Sequence, residues 1–191
     1  MLTLQSVSGA EPVTLAEAKL AARVDASDLD ATITALITAA RKQAEQLTGR
    51  WYILQTQRES LVDWPAAGEF VLPVFGATVV AIQYWSGSNW VAVNSSAYAF
   101  GPSADFGGSR TEIAPHAGTS WPSLVALAAG PRVRIDITAG PAAPANVPET
   151  VKLYIKATVT AWVNNGDGLL PAQLQRNPML DPLLDSERLW C

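Results

Sequence analysis

The sequence predicts an α+β protein in which N-terminal helices and a C-terminal helix pack together, with an antiparallel β region inserted between them and an extended C-terminal arm following. Three observations predict this. Apolar residues recur at three- and four-residue steps before position 50 and again after 147. Residues 51–140 hold short runs rich in β-branched and aromatic side chains. Residues 167–191 are interrupted by Pro171, Pro178 and Pro182, which rules out a long helix there. The expected parts are therefore a helical part at 1–50, a β region at 51–140, a helix at 147–166 packing on the N-terminal helices, and an arm at 167–191. At 191 residues the chain suits one domain with appendages or two small ones.

The first helix is announced by VTLAEAK (13–19), a capping box: Thr14 can accept from the Glu17 amide while the Glu17 carboxylate reaches back to the Thr14 amide. The pattern breaks after Arg23. A second helix runs over 28–48, with Leu29, Ile33, Leu36, Ile37, Ala40, Ala44 and Leu47 as its apolar stripe and Gly49 as its C-cap. Between the two helices RVDASDLDATI (23–33) clusters Asp25, Asp28 and Asp30. A calcium loop started at Asp28 needs Gly at 33 and Glu at 39, where the chain has Ile33 and Ala39. The carboxylates are read instead as helix punctuation: Ser27 or Asp28 as N-cap, and Asp30 facing the positive end of the helix dipole.

The β region follows, with expected strands at 52–62, 69–74, 78–85, 90–94, 98–101, 111–115 and 132–140, separated by Gly, Pro, Ser and Asn. WSGSNW (85–90) reads as a hairpin turn flanked by Trp, and RVRID (132–136) alternates as a strand with one wet face should. The Pro- and Ala-rich joint GPAAPANVP (140–148) leads into the last helix. Pro148 suits its first turn, Val151, Tyr154, Ile155, Thr158, Val159 and Trp162 form one stripe, and Gly166 ends it.

Composition and motifs exclude several functions. A formal net charge of -4 provides no global basic field for gathering phosphates. No apolar run approaches the ~20 residues a bilayer span needs, and no secretory leader pattern opens the chain, so a soluble protein made in the cytoplasm is expected. Cys191 is the single cysteine, which leaves no intrachain disulfide. The one histidine, His116, follows a proline in a loop, and nothing positions metal ligands or a charge relay around it. There is no G-x-S-x-G, Walker loop or G-x-G-x-x-G. Asp63, Glu69, Asp105, Glu112 and Asp136 are scattered through the β region without a pair singled out as a glycosidase couple. No enzyme activity, metal or cofactor is expected. Hydrophobic residues make up 49% of the chain and charged ones 16%, more apolar surface than a lone monomer needs, which points to burial against partners.

The quoted segments EPVTLAEAKLAARVD, LDATITALITAARKQAEQLTGR, SWP (120–122), VRIDITAG and VPETVKLYIKATV resemble, in this order, the head-tail connector proteins of tailed bacteriophages, also called head-completion or adaptor proteins. Residues 11–50 carry the most specific part. The resemblance implies a structural protein: a ring, dodecameric in that family, beneath the portal of a virion neck, joining the head to a tail-side stopper or tail terminator and letting DNA pass through its lumen without specific binding. Ordering on a portal template implies a monomer or weak oligomer beforehand. A rival reading, motivated by seven Trp residues and Ser/Gly-rich loops, is a carbohydrate- or receptor-binding module of a phage particle.

The leucine-rich ending is expected to be a docking arm to the portal or a neighbouring subunit, with Leu180, Leu183, Leu184, Leu189 and Trp190 as buried anchors and Arg188 as a rim contact. Such a segment has no self-sufficient core, yet its apolar side chains need cover. The competing expectation is that it folds back on its own β domain.

Overall fold

The structure, a computed structural model, describes residues 2–66, 68–103, 110–127, 129–164 and 180–188. The chain divides into two compact units, Gly9–Ile53 with Pro141–Cys191, and Met1–Ser8 with Leu54–Gly140. Helices and antiparallel sheets are thereby segregated, which is the α+β class expected.

In the helical unit, α1 (Leu15–Ala22) opens with the predicted capping box, both reciprocal bonds being present. It ends at Arg23, whose φ of 58° makes it the one non-glycine residue in the left-handed region among the described residues. The helix α2 (Asp30–Thr48) ends at Gly49 in the same region, φ 72°, where the lack of a Cβ avoids strain. Its start differs from expectation. Leu29 is the N-cap and no side chain caps the helix; the Asp30 amide donates instead to the Ser27 carbonyl in a preceding turn. Asp30 does occupy the first turn, and its carboxylate also takes a 2.6 Å ion pair from Lys19 of α1. Leu29 is exposed rather than part of the stripe, because the helix begins one residue beyond it.

The third helix, α3 (Glu149–Asn164), buries Val151, Tyr154, Ile155, Thr158, Val159 and Trp162, the stripe read from its spacing. Gly166, its expected terminator, lies outside the described residues. These side chains share one core with Val13 and Ala18 near the first helix and Ile33, Leu36, Ile37, Ala40 and Ala44 of α2. The three helices thus enclose a single apolar centre.

In the other unit, a five-stranded sheet has the order β1-β2-β8-β4-β5, built from β1 (Leu2–Val7), β2 (Gln55–Leu61), β8 (Val133–Ala139), β4 (Thr78–Trp85) and β5 (Trp90–Ala92). A three-stranded sheet has the order β3-β7-β6, from β3 (Phe70–Phe75), β7 (Arg110–Pro115) and β6 (Tyr98–Pro102). All pairings are antiparallel. Val133, Ile135, Ile137 and Ala139 of β8 are buried while Arg134, Asp136 and Thr138 face outward, so the alternation in RVRID does mark one wet face. Trp85 lies directly opposite Trp90 across the predicted hairpin. The strand β1 is an addition to the expected set. Its residues were read with the helical part, but they pair with β2 some fifty positions later in the chain.

Candidate functional site

The leucine-rich ending was expected to leave the body of the protein. Instead, residues 180–188 lie on the helical unit. Asp181–Leu184 form a 3-10 turn, Leu184 is fully buried in the three-helix core, and Leu180 and Leu183 pack against that core. Arg50 Nε donates to the Glu187 carbonyl at 3.0 Å, fastening the segment to the end of α2. Arg188 is held by Asp185 at 3.1 Å and by Asp181 at 3.9 Å. For this stretch an extended arm is therefore corrected to a docked turn, and the surface it docks on is the helices rather than the β region. The physical reason is that prolines forbid a long helix but not a single 3-10 turn, and one turn suffices to place Leu184 in a core lacking one side chain. Leu189 and Trp190 lie outside the described residues.

Beside this turn runs an open groove of about 540 Å³, lined by Ala21 of α1, Leu153, Lys156, Ala157 and Ala161 of α3, and Leu180. Small residues on α1 and α3 leave the depression, with Leu153 and Leu180 in its lining. Leu20 is 82% exposed and Leu153 50% exposed. Both were legible as misfits, since Leu20 is off the buried side of α1 that carries Ala18 and Ala22, and Leu153 is off the α3 stripe. Of the six residues singled out from sequence, Leu180 alone among those described lines this groove.

The same unit contains a buried ionic network that the periodicity concealed. Arg41 occupies the inward side of α2 at 4% exposure. Its Nε donates to Glu11 at 2.8 Å and its Nη1 to Glu45 at 2.8 Å. Thr38 Oγ1 also donates to Glu11, and the Tyr52 amide donates to Glu45 Oε1. Burial alone would lower the Arg41 pKa, but the hydrogen bond it donates to Glu11 and the charges of Glu45 and Glu11 raise it, so the cation persists. Burial pushes the Glu45 carboxyl up, against the Tyr52 amide and Arg41, which pull it down. Arg41, Glu11 and Glu45 all find partners inside the chain, so the network ties the N-terminal segment to α2.

On the wet face of the five-stranded sheet, Arg58 grips Asp136 with two bonds of 2.7 and 2.8 Å, and the Thr56 and Thr138 hydroxyls are 2.8 Å apart, each pair directly opposed in the β2–β8 register. Arg134 lies 3.7 Å over the Trp90 ring, and burial followed by repulsion from Arg58 lowers its pKa. Trp64 and Trp121 stack at 4.6 Å, with Phe70 and Tyr98 beside Trp121. Both indole N–H groups are spent on the chain's own backbone, Trp64 on the Pro122 carbonyl and Trp121 on the Gly68 carbonyl. With Trp162 in the core, these rings pack within the fold.

His116 is exposed in a turn closed by Thr119. Among the described residues, no group of three or more His, Cys, Asp or Glu side chains is placed to hold a metal ion. No helix among them is long and apolar enough to cross a membrane. Asp136 and Asp63 are engaged by Arg58 and Arg132.

No protein-family model and no curated protein matches the sequence. Solved structures do match the fold. A chain in the neck of an empty gene transfer agent (GTA) particle, computed with C6 symmetry, superposes with a TM-score of 0.75 at 22% identity, over 100% of this chain and 96% of that one. A chain of the virion of a native GTA particle gives 0.74 at 21% identity, with the same coverage of both chains. A chain from the neck of a native GTA particle computed with C12 symmetry gives 0.68 at 22% identity, again over 100% and 96%. At these identities the likeness is one of fold, and it extends end to end.

Proposed function

We propose that the protein is a structural connector of the neck of a tailed, phage-like particle: a homo-oligomeric ring, dodecameric, that sits under the portal and carries the tail-side stopper or terminator on its other rim. The observation that carries this reading is the end-to-end fold shared with chains of GTA necks, two of them described with cyclic symmetry. The segments that resemble head-tail connectors support it independently of the fold. So does the surface. Exposed apolar residues such as Leu20 and Leu153, with Arg41 and Arg58 paired inside the chain, suit a protein whose work is to be gripped by neighbours.

The mechanism is mechanical complementarity. A cyclic heterologous interface closes the ring, its rims bind unlike partners, and the lumen passes DNA. With a net charge of -4 the chain has little to hold phosphates, so DNA slides through without contacts that ejection would have to break. Imaging the neck of purified particles by electron cryomicroscopy, with copy number from quantitative mass spectrometry, tests this. Twelve copies in a ring between portal and tail are expected. One copy per particle, or a position on a fibre tip binding glycans, would refute it.

A further inference from the structure

Among the described residues the two sheets present four edges, and they are not equally protected. The edge strands β3 and β6 carry Pro73 and Pro102, which cannot donate to an added strand, and β5 has only three residues. The six residues of β1, LTLQSV, include neither a proline nor a charge. Residues 3–7 are all exposed, so both faces of this strand, as well as its outer edge, are open, with Leu4 at 52% and Val7 at 48% exposure. An uncharged, uncovered edge of this length is a template for pairing with another chain.

A second segment has the matching deficiency. Residues 123–127, SLVAL, belong to no helix or strand, and among the described residues none of their backbone groups has a backbone partner. Val125 is 46% and Leu127 41% exposed, and no residue of the five is charged. Their base is anchored, because the carbonyl of Pro122 accepts from Trp64 and the Trp121 indole donates to Gly68. Val125 rests on the turn of the β4–β5 hairpin, where a Cβ added at Gly87 would meet it at 3.4 Å. That turn is at the opposite end of the strand order from β1.

We propose that neighbouring subunits of the ring are joined by strand addition, residues 123–127 of one copy pairing along the free edge of β1 in the next. The inference rests on the ring reading and names its interface. The occupant is a second copy because both halves are on one chain, at opposite ends of one sheet, and in the structure do not meet. Two unlike patches that satisfy each other only between copies make a heterologous contact, the kind that closes rings rather than stopping at a dimer. Pairing would satisfy the open backbone groups of both segments and cover Leu4, Val7, Val125 and Leu127 without burying a charge.

The test uses the full chain with Cys191→Ser, in assembled particles. Leu4→Cys combined with Val125→Cys, under mild oxidation, should give a denaturing-gel ladder climbing well beyond the dimer, while either single cysteine gives none. Leu4→Lys and Val125→Pro, in an exposed edge and an unpaired loop, should each leave the monomer's circular dichroism and melting unchanged and reduce incorporation into particles at least tenfold. Rings that form without a ladder, and that incorporate both variants normally, would overturn the interface and leave the ring reading standing. A ladder that stops at two would also overturn it. A single copy per particle would remove the ring reading itself, and the interface with it.

Discussion

Replacing Leu184 by Ala separates a docked ending from a free arm. Leu184 has no exposed surface and is enclosed by the three-helix core, so truncation removes its transfer free energy and leaves a cavity. For such sites the cost is about 2–5 kcal/mol. In a chain of this length, with ~2–4 °C lost per kcal/mol, the helical unit should melt roughly 4–20 °C lower. The loss has an upper bound, because the 3-10 turn can detach as a local unit once docking no longer repays its ordering. Chemical denaturation should therefore be paired with hydrogen exchange at the Glu187 and Arg188 amides, which donate to the Leu184 carbonyl. Leu184→Ala should destabilise the unit and also speed exchange at both amides. A midpoint unchanged within ~0.5 kcal/mol, with exchange already fast in the wild type, would refute the docked ending and restore the arm.

Three further perturbations test other parts of the structure. Arg41→Ala leaves Glu45 and Glu11 without their buried cation and should cost about 3–5 kcal/mol in denaturant melts. Since burial already raises the Glu45 pKa, removing Arg41 raises it further, so the deficit should widen as pH goes from 5 to 8; a pH-independent deficit would contradict the network. Glu59 sits between Leu2 and Ile135 in the sheet register, and burial raises its pKa; stability is then fullest below the ordinary glutamate pKa of about 4.3 and falls as pH rises through the raised value. Glu59→Gln should accordingly raise Tm at pH 7 and make no difference near pH 4. Trp121→Phe keeps a ring against Trp64 but loses the bond to Gly68, so it should cost about 1 kcal/mol and weaken the near-ultraviolet circular dichroism of the indole stack.

What could be read from sequence alone was what depends on neighbours a few residues away. The capping box at Thr14 and Glu17, the Gly49 cap, the α3 stripe and the hairpin between Trp85 and Trp90 are all set by interactions within one turn or one short loop, and each is found where the spacing put it. The misreadings lie where a distant segment decides. The strand β1 has no buried face to impress an alternation on its residues, and it becomes a strand only because β2 offers a ladder. Arg41 reads as a charged interruption of a stripe until Glu11, thirty positions earlier, supplies the partner that lets it be buried. The start of α2 was assigned to the usual capping residues, whereas a turn through Ser27 and the pull of Lys19 on Asp30 settle it. The ending cannot form a core from its own residues, and this holds for the segment in isolation. Whether three helices from elsewhere in the chain leave a place for one leucine is a matter of volume and geometry, and only the tertiary structure contains it.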